Sequence, residues 1–365
     1  MGRSSRADVG IISSGHDVAD ARLHKITAAL QRRGLSVEVW GLGDPAAGPA
    51  GADVRTKCRA GMLGRLGQAA IVPWRSRTAV LLTVDPDMVP VGRLVGTLRR
   101  RKMVADIHED YARLLSDRPW ARGLIGYPAR VMVRMSSRLA AGADLTVVAD
   151  THLAPQDARH RRLVVQNLPD PEFLSPSAPE GPPRAVYVGD LRTSRGLFDM
   201  IEAIAAAPEW SLDLVGPVAG ANRETLELRV EEPDVASRVR LYGRRPPKES
   251  WRIVRGAWVG LALLQPTPAF LEAMPSKVYE YLASGLPVLS TPLPRQVEII
   301  RRSGGGSLAS TPAEAAEILR HWSANPAELA KIRRSALEWA TVALPARTPY
   351  DELADAICDL LPVTS

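Results

Sequence analysis

Ala257-Trp258-Val259-Gly260-Leu261-Ala262-Leu263-Leu264 and, one loop later, Ser276-Lys277-Val278-Tyr279-Glu280-Tyr281-Leu282-Ala283-Ser284-Gly285-Leu286-Pro287-Val288-Leu289-Ser290 decide the fold. The first segment is an unbroken apolar run of strand length. The second reads as a helix over Ser276–Ser284, stopped by Gly285, and then a strand over Pro287–Ser290. Strand, helix and strand in this order make a parallel βαβ unit.

The alternation extends both ways. Upstream, strands are predicted at Ala185–Val188, Ser211–Val215 and Val239–Tyr242, with helices at Leu197–Ala206, Asn222–Glu231 and Lys248–Arg255. Downstream come a helix at Arg295–Arg301, a short strand at Ser307–Ala309, and helices at Pro312–Ser323 and Pro326–Leu344. Residues 171–183 are Pro-rich and read as a linker. Before them a second series runs Val9–Ser13 (strand), Val18–Arg33 (helix), Val37–Trp40 (strand), Ala79–Val84 (strand), Val89–Arg101 (helix) and Lys102–Asp106 (strand). It ends with a helical stretch at Trp120–Ala141 and strands at Asp144–Val148 and Leu163–Val165. The expected class is α/β: two Rossmann-like, doubly wound domains, at 1–170 and 184–335, with residues 336–365 as terminal helices.

Length and composition agree. The chain has 365 residues, 45% hydrophobic and 24% charged, enough for two ordinary cores. Its 2 cysteines, Cys58 and Cys358, form neither a disulfide framework nor a zinc site. No window has the length of a membrane-spanning helix, and the first residues show no signal-peptide core, so a cytoplasmic chain is expected. The net charge of +7 is uneven: residues 1–175 hold 26 Lys+Arg against 17 Asp+Glu, and residues 176–365 hold 21 against 23. A basic first half suits an acidic partner, but 41 of the 47 basic residues are Arg, so a coding bias of the kind seen in bacteria explains the excess equally well.

Open parallel sheets bind ligands beyond the carboxyl ends of their strands. The loops to inspect are therefore Ser14–Asp17, Ile107–Tyr111, Asp190–Gly196, Gly216–Gly220, Gly243–Pro247 and Gln265–Pro275. Pro275 fits the first helical turn, Ser276 a cap, and Lys277 beside the helix N-terminus a phosphate site. Glu280 shares the Lys277 face, and Glu272 precedes it by eight positions. In Tyr187-Val188-Gly189-Asp190-Leu191-Arg192-Thr193-Ser194-Arg195-Gly196-Leu197 a strand ends at Gly189 and a helix starts after Gly196, with two cations in the loop between. Asp106-Ile107-His108-Glu109-Asp110-Tyr111 and Ser13-Ser14-Gly15-His16 follow strands of the first half.

The Glu272/Glu280 spacing, embedded in Pro275-Ser276-Lys277-Val278-Tyr279-Glu280-Tyr281-Leu282-Ala283-Ser284-Gly285-Leu286-Pro287-Val288, resembles the E-x7-E string of GT-B glycosyltransferases, in the family 4 retaining branch. The resemblance covers nearly the whole chain. It implies two domains facing across a cleft, terminal helices crossing back to the first domain, and a nucleotide-diphosphate sugar as donor. The acceptor is a glycan, lipid-linked or small-molecule hydroxyl. Glu272 would bind donor-sugar hydroxyls and Glu280 the ribose, with Ser276 and Lys277 near the phosphates. Gly189, Arg192, Arg195 and Gly196 resemble the family's diphosphate loop, where Arg195 keeps the Lys charge and Asp190 replaces the first Arg. His108 lies in a D-x-H-E segment, where relatives contact the donor sugar. His108, Glu272 and Arg195 are then the catalytic candidates, and Gly15, His16 and Glu109 the acceptor-side loop.

Asp110 suits a cap, and Asp20 and Arg22, on the first turns after the Ser13–His16 loop, suit either an acceptor contact or a solvated helix face equally well. No cofactor and no divalent metal is implied. Asp85-Pro86-Asp87 has a metal-motif spelling but is expected to start a helix, and the leaving phosphate is expected to take the acceptor proton in a front-face reaction. Arg55–Arg77, with its interleaved apolar residues, reads either as a basic amphipathic helix for anionic lipid or as a covering helix. Two other functions compete: a UDP-GlcNAc 2-epimerase-like isomerase of the same architecture, and a nucleic-acid-binding protein using the basic half. The isomerase would need further catalytic carboxylates and histidines, and the nucleic-acid binder needs stacking aromatics that the first half lacks.

Overall fold

The computed structural model describes residues 6–58, 61–111, 126–174, 176–271 and 275–362. The chain divides into two compact units, Met1–Asn167 with Arg347–Ser365, and Leu168–Ala346.

The first unit holds a seven-stranded parallel sheet in the order β3-β2-β1-β4-β5-β6-β7. The strands are β1 Val9–Asp17, β2 Val37–Leu42, β3 Asp53–Lys57, β4 Val80–Thr83, β5 Lys102–Ile107, β6 Leu145–Val148 and β7 Arg161–Val164. The inner strands are apolar because helices cover both faces. β1 and β4 are neighbours although two strands separate them in sequence, so the winding reverses between them. That reversal is the topological switch point, where an open sheet leaves a crevice.

The second unit repeats the plan with six parallel strands, β10-β9-β8-β11-β12-β13. They are β8 Arg184–Val188, β9 Ser211–Val215, β10 Val239–Gly243, β11 Val259–Ala262, β12 Val288–Ser290 and β13 Gly306–Leu308. Its switch point falls between β8 and β11. The doubly wound α/β class read from the sequence is the class observed.

Several local expectations need correction. The first helix spans Ala21–Arg32 rather than starting at Val18, because the Asp20 carboxylate accepts the Arg22 backbone N–H and caps it there. β1 runs on to Asp17, which pairs with Leu42, so Ser14–Asp17 is extended strand rather than loop. The continuous helix expected over Arg55–Arg77 is divided: Arg55 and Lys57 lie on edge strand β3, and the helix covers Met62–Arg75. Pro275, not Ser276, occupies the cap position of the helix Ser276–Ala283, and no side chain caps it. Trp120 falls outside the described residues, and the helix resolved in that stretch is Tyr127–Ala140.

The Pro-rich residues 171–183 are bonded to the second unit: the Glu180 N–H donates to the Gly256 carbonyl, and the Gly256 N–H to Ser177 Oγ. The helix Pro326–Ala343 also stays with that unit, and residues from Arg347 onward belong to the first. There the helix Pro349–Cys358, opened by a Thr348/Asp351 capping box, buries Tyr350, Leu353 and Ile357 in the core under β1 and β2. Burial of each such side chain stabilises by roughly 1.5–3 kcal/mol. Arg32 to Asp351 (2.9 Å) and Arg33 to Asp355 fix its outer face.

Candidate active site

In the second unit the site is built where β8 and β11 end. The helix Ser276–Ala283 turns Val278, Tyr281 and Leu282 inward. Tyr281 lies against Gly260 of β11, where a Cβ would come within 2.5 Å of its ring. Its hydroxyl accepts the Val188 N–H at 3.0 Å. That bond ties the helix to the end of β8 and carries Lys277 toward the loop that follows.

The loop is shaped by Gly196, which has φ +75° and would place a Cβ 1.8 Å from the Leu263 carbonyl oxygen. Only glycine permits both the left-handed turn and this approach to the exit of β11. The approach brings Arg195 over the Phe270 ring, 5.5 Å from its centroid. Arg195 also hydrogen-bonds the Tyr187 hydroxyl, and Lys277 acts on the same phenol. Burial raises the Tyr187 pKa against the pull of these two cations. Lys277 Nζ donates to Glu280 Oε2 at 2.7 Å, and the Glu280 carboxylate is buried. Lys277 and Glu280 thus form a pair at the start of this helix, and Arg195 and Lys277 are the two cations whose charge bears on Tyr187.

Arg192 is turned to Asp190, 2.5 Å away, so the carboxylate that replaces the expected arginine is neutralised locally. Gly189 opens the loop beside the Tyr187 hydroxyl, 2.7 Å from where its Cβ would stand. Ser276 is the first helical residue, partly buried, with no capping role. Glu272 lies outside the described residues.

In the first unit a polar network fills the switch point between β1 and β4. Asp85, just after β4, accepts from Ser13 Oγ, the Ser14 N–H (3.0 Å) and the Gly15 N–H (3.1 Å). Arg65 reaches Asp85 at 3.1 Å and Asp87 at 2.8 Å, and Ser14 Oγ donates to Asp87 at 2.8 Å. These two carboxylates are engaged by serines, backbone N–H groups and cations. Among the described residues no cluster of His, Cys, Asp and Glu is arranged to hold a metal ion. Gly15 packs under Arg65, whose Cζ would be 3.0 Å from an added Cβ.

His16 Nδ1 is 3.2 Å from Asp85 Oδ1, and His16 Nε2 is 3.2 Å from His108 Nε2. Burial opposes charge on His16, but the Asp85 carboxylate outweighs it and raises the pKa to about 9. Burial and the neighbouring His16 lower that of His108. Glu109 is exposed. Asp20 caps the first helix. Arg22 is buried in a two-bond pair with Asp106 (2.6 and 2.7 Å), which removes it from the acceptor-side role considered for it. The residues after Tyr111 that Asp110 is expected to cap lie outside the described residues.

Sequence reasoning missed Tyr187, Phe270, Arg65, Asp85 and Asp87 as members of these clusters. The Asp85-Pro86-Asp87 spelling was the one available signal for the last two.

Residues 171–339, most of the second unit, match the family model described as "Glycosyl transferases group 1". The protein is a glycosyltransferase. No curated protein is significantly similar to the enzyme in sequence. Among solved structures it resembles HepE of Anabaena, crystallised with UDP and glucose, at 17% identity and TM-score 0.68, covering 97% of this chain and 100% of that one. It also resembles sucrose-phosphate synthase of Thermosynechococcus elongatus (15%, TM-score 0.66, 97% and 99%). A third is WaaG, a glycosyltransferase of lipopolysaccharide biosynthesis (16%, TM-score 0.65, 96% and 99%). The enzyme has the fold of GT-B glycosyltransferases.

Proposed function

We propose that the enzyme is a retaining glycosyltransferase of family 4 that moves a sugar from a nucleoside-diphosphate sugar to a hydroxyl acceptor. The observation that carries this reading is the placement of Arg195, over Phe270 in the Gly196 loop after β8, and of the Lys277–Glu280 pair, on the helix that Tyr281 ties to β8, within the segment that matches the family model. A departing nucleoside diphosphate gains negative charge, and preorganised cations in a partly dry site stabilise it. The backbone N–H groups opening the helix Ser276–Ala283 add to this. Gly189 and Gly196 let the loop approach the phosphates, Glu280 accepts the ribose hydroxyls, and Glu272 takes the sugar hydroxyls. His108, with Gly15, His16 and Glu109, serves the transfer step and the acceptor.

With the charge met by side chains and helix dipole, no metal or other cofactor is required, and the leaving phosphate oxygen takes the acceptor proton on the same sugar face. HepE, crystallised with UDP-glucose, makes a uridine diphosphate sugar the first donor to try. The experiment is a panel of nucleotide sugars, read by thermal shift and by release of nucleoside diphosphate, with and without EDTA. One donor is expected to raise Tm and be turned over in both conditions. No stabilising donor would end the reading, and a strict metal requirement would end its charge scheme.

The acceptor side points to a lipid surface. The helices Met62–Arg75, Val89–Leu98 and Tyr127–Ala140 lie side by side in the first unit, and none contains Asp or Glu. Leu63, Leu94, Leu98 and Met135 are exposed on them, among Arg93, Arg134 and Arg138. Exposed apolar side chains and arginines on helices that carry no Asp or Glu suit the headgroup region of an anionic bilayer. Among the described residues no helix is long and apolar enough to cross a membrane, and the proposed contact is a peripheral one.

A further inference from the structure

The first unit holds a chain of three titratable groups whose end is buried and, among the described residues, unpaired. Asp85 Oδ1 faces His16 Nδ1, and His16 Nε2 faces His108 Nε2, each at 3.2 Å. The far nitrogen of His108, Nδ1, is buried and has no hydrogen-bond partner among the described residues. A ring nitrogen facing another ring nitrogen allows one proton between them. The owner of that proton fixes what His108 presents at its other end.

If His16 is an imidazolium, its Nδ1–H donates to Asp85 and its Nε2–H to His108 Nε2. His108 must then carry its own proton on Nδ1. If His16 is neutral, with its proton on Nδ1 toward Asp85, the shared proton belongs to His108 Nε2, and His108 Nδ1 is a bare acceptor. The surroundings decide between the two. Asp85 is held by Ser13 Oγ, two backbone N–H groups and Arg65, so it stays ionised and close to His16. Asp20 and Glu109 also favour charge on His16. His108 faces Arg22 and its partner Asp106, Glu109, and the Tyr111 ring at 6.1 Å, and burial keeps it neutral.

We propose that Asp85 and His16 act as a tautomer lock, holding His108 as the Nδ1–H form so that it offers a hydrogen-bond donor to the sugar substrate. His16 is a positioning residue in this scheme, and His108 is the group that touches substrate. The inference rests on the glycosyltransferase reading for the identity of that substrate, but the lock itself is a property of the protein alone. With a His16 pKa of about 9, the donor form holds at neutral pH and is lost as pH rises through that value.

The lock is tested on the full-length 15N-labelled chain by long-range imidazole 1H–15N correlation, with the histidines assigned by single His→Gln variants. At pH 7.5 both His16 nitrogens are expected to be protonated, with His108 protonated on Nδ1. Above pH 9 the His108 proton is expected on Nε2. A neutral His16 or an Nε2-protonated His108 at pH 7.5 overturns the proposal, and neither result bears on donor binding.

Once a donor is known, His16→Leu is expected to lower kcat by about tenfold or more with KM for the donor little changed. His16→Gln, whose amide can still donate to His108 Nε2, recovers most of that loss without the alkaline decline. His16→Leu with the wild-type kcat and pH profile would also overturn the lock. Wild type with the expected spectra but no nucleotide-sugar turnover would instead sink the functional reading and leave the lock standing.

Discussion

Lys277 Nζ lies 2.7 Å from Glu280 Oε2, one helical turn away, with the carboxylate buried and the ammonium reaching solvent. The pair orients both groups at the start of the helix that Tyr281 ties to β8. Glu280→Ala is expected to lower donor turnover by about tenfold or more through loss of the acceptor oxygens and of the lysine's anchor. Glu280→Gln keeps the shape but loses the charge, and its cost is expected at about 1–3 kcal/mol, read as a Tm drop of a few degrees. Wild-type turnover in both variants would remove Glu280 from the site.

Arg195 stacks on Phe270 and bonds Tyr187, so its guanidinium is held in place for the diphosphate proposed to bind there. Preorganised charge of this kind contributes about 2.7–4 kcal/mol to transition-state stabilisation. Arg195→Ala is expected to cut kcat by about a hundredfold, and Arg195→Lys to recover part of it. Steady-state kinetics on both variants decide this. Phe270→Ala, which removes the stacking partner alone, is expected to cost less than Arg195→Ala.

Legibility in the sequence followed the reach of the interactions. The strand Val259–Ala262 and the helix Ser276–Ala283 were readable because apolar runs and a Gly285 stop are local signals. β3 was not. Its Asp-Val-Arg-Thr-Lys sequence lies at the sheet edge with few buried side chains, and so carries no apolar alternation. Lys277, Arg195 and Glu280 stand out as candidates in their strings, whereas Tyr187, whose hydroxyl lies in the Gly189–Gly196 loop, reads only as a strand residue. The pairs Arg22–Asp106 and Asp85–His16 join residues about 70 or more positions apart, and no periodicity or spacing announces them. The same separation explains why the burial of Arg22 is not legible in its sequence neighbourhood.

The close approach at Gly196 gives a backbone prediction. A Cβ at φ +75° and 1.8 Å from a carbonyl oxygen cannot be relieved by moving a side chain, because the obstacle is backbone. Gly196→Ala is expected to destabilise by about 2–3 kcal/mol and to push the Arg195 loop away from β11. Thermal unfolding checks the first effect. Weakened nucleotide binding out of proportion to the Tm change checks the second.

His16 links the polar network of the first unit to pH. Its pKa is about 9 in the folded chain and close to 6.5 when unfolded. Its stabilisation is therefore complete below about pH 6.5 and declines as pH rises toward 9, by on the order of 3 kcal/mol. His108 acts in the opposite sense. Its folded pKa is lowered, so its contribution is present above about pH 6.5 and is lost as pH falls. Urea unfolding of wild type between pH 7 and 9.5 is expected to lose stability with rising pH, and His16→Gln to flatten that slope. An unchanged slope would place the titration elsewhere.

The three helices of the first unit that carry no Asp or Glu predict binding that depends on lipid charge. Each exposed Arg near an anionic surface contributes about 1 kcal/mol, and the effect fades beyond a Debye length. The purified chain is expected to sediment with vesicles containing phosphatidylglycerol, to stay in solution with phosphatidylcholine alone, and to be released by high salt. Arg134→Glu with Arg138→Glu reverses two exposed charges on one helix and is expected to weaken binding by about tenfold or more. Leu94→Ser with Leu98→Ser removes exposed apolar contacts and is expected to weaken the salt-resistant part. Binding to neutral vesicles equal to that on anionic ones would refute the surface, and self-association lost in the leucine variant would assign it to a second copy of the chain.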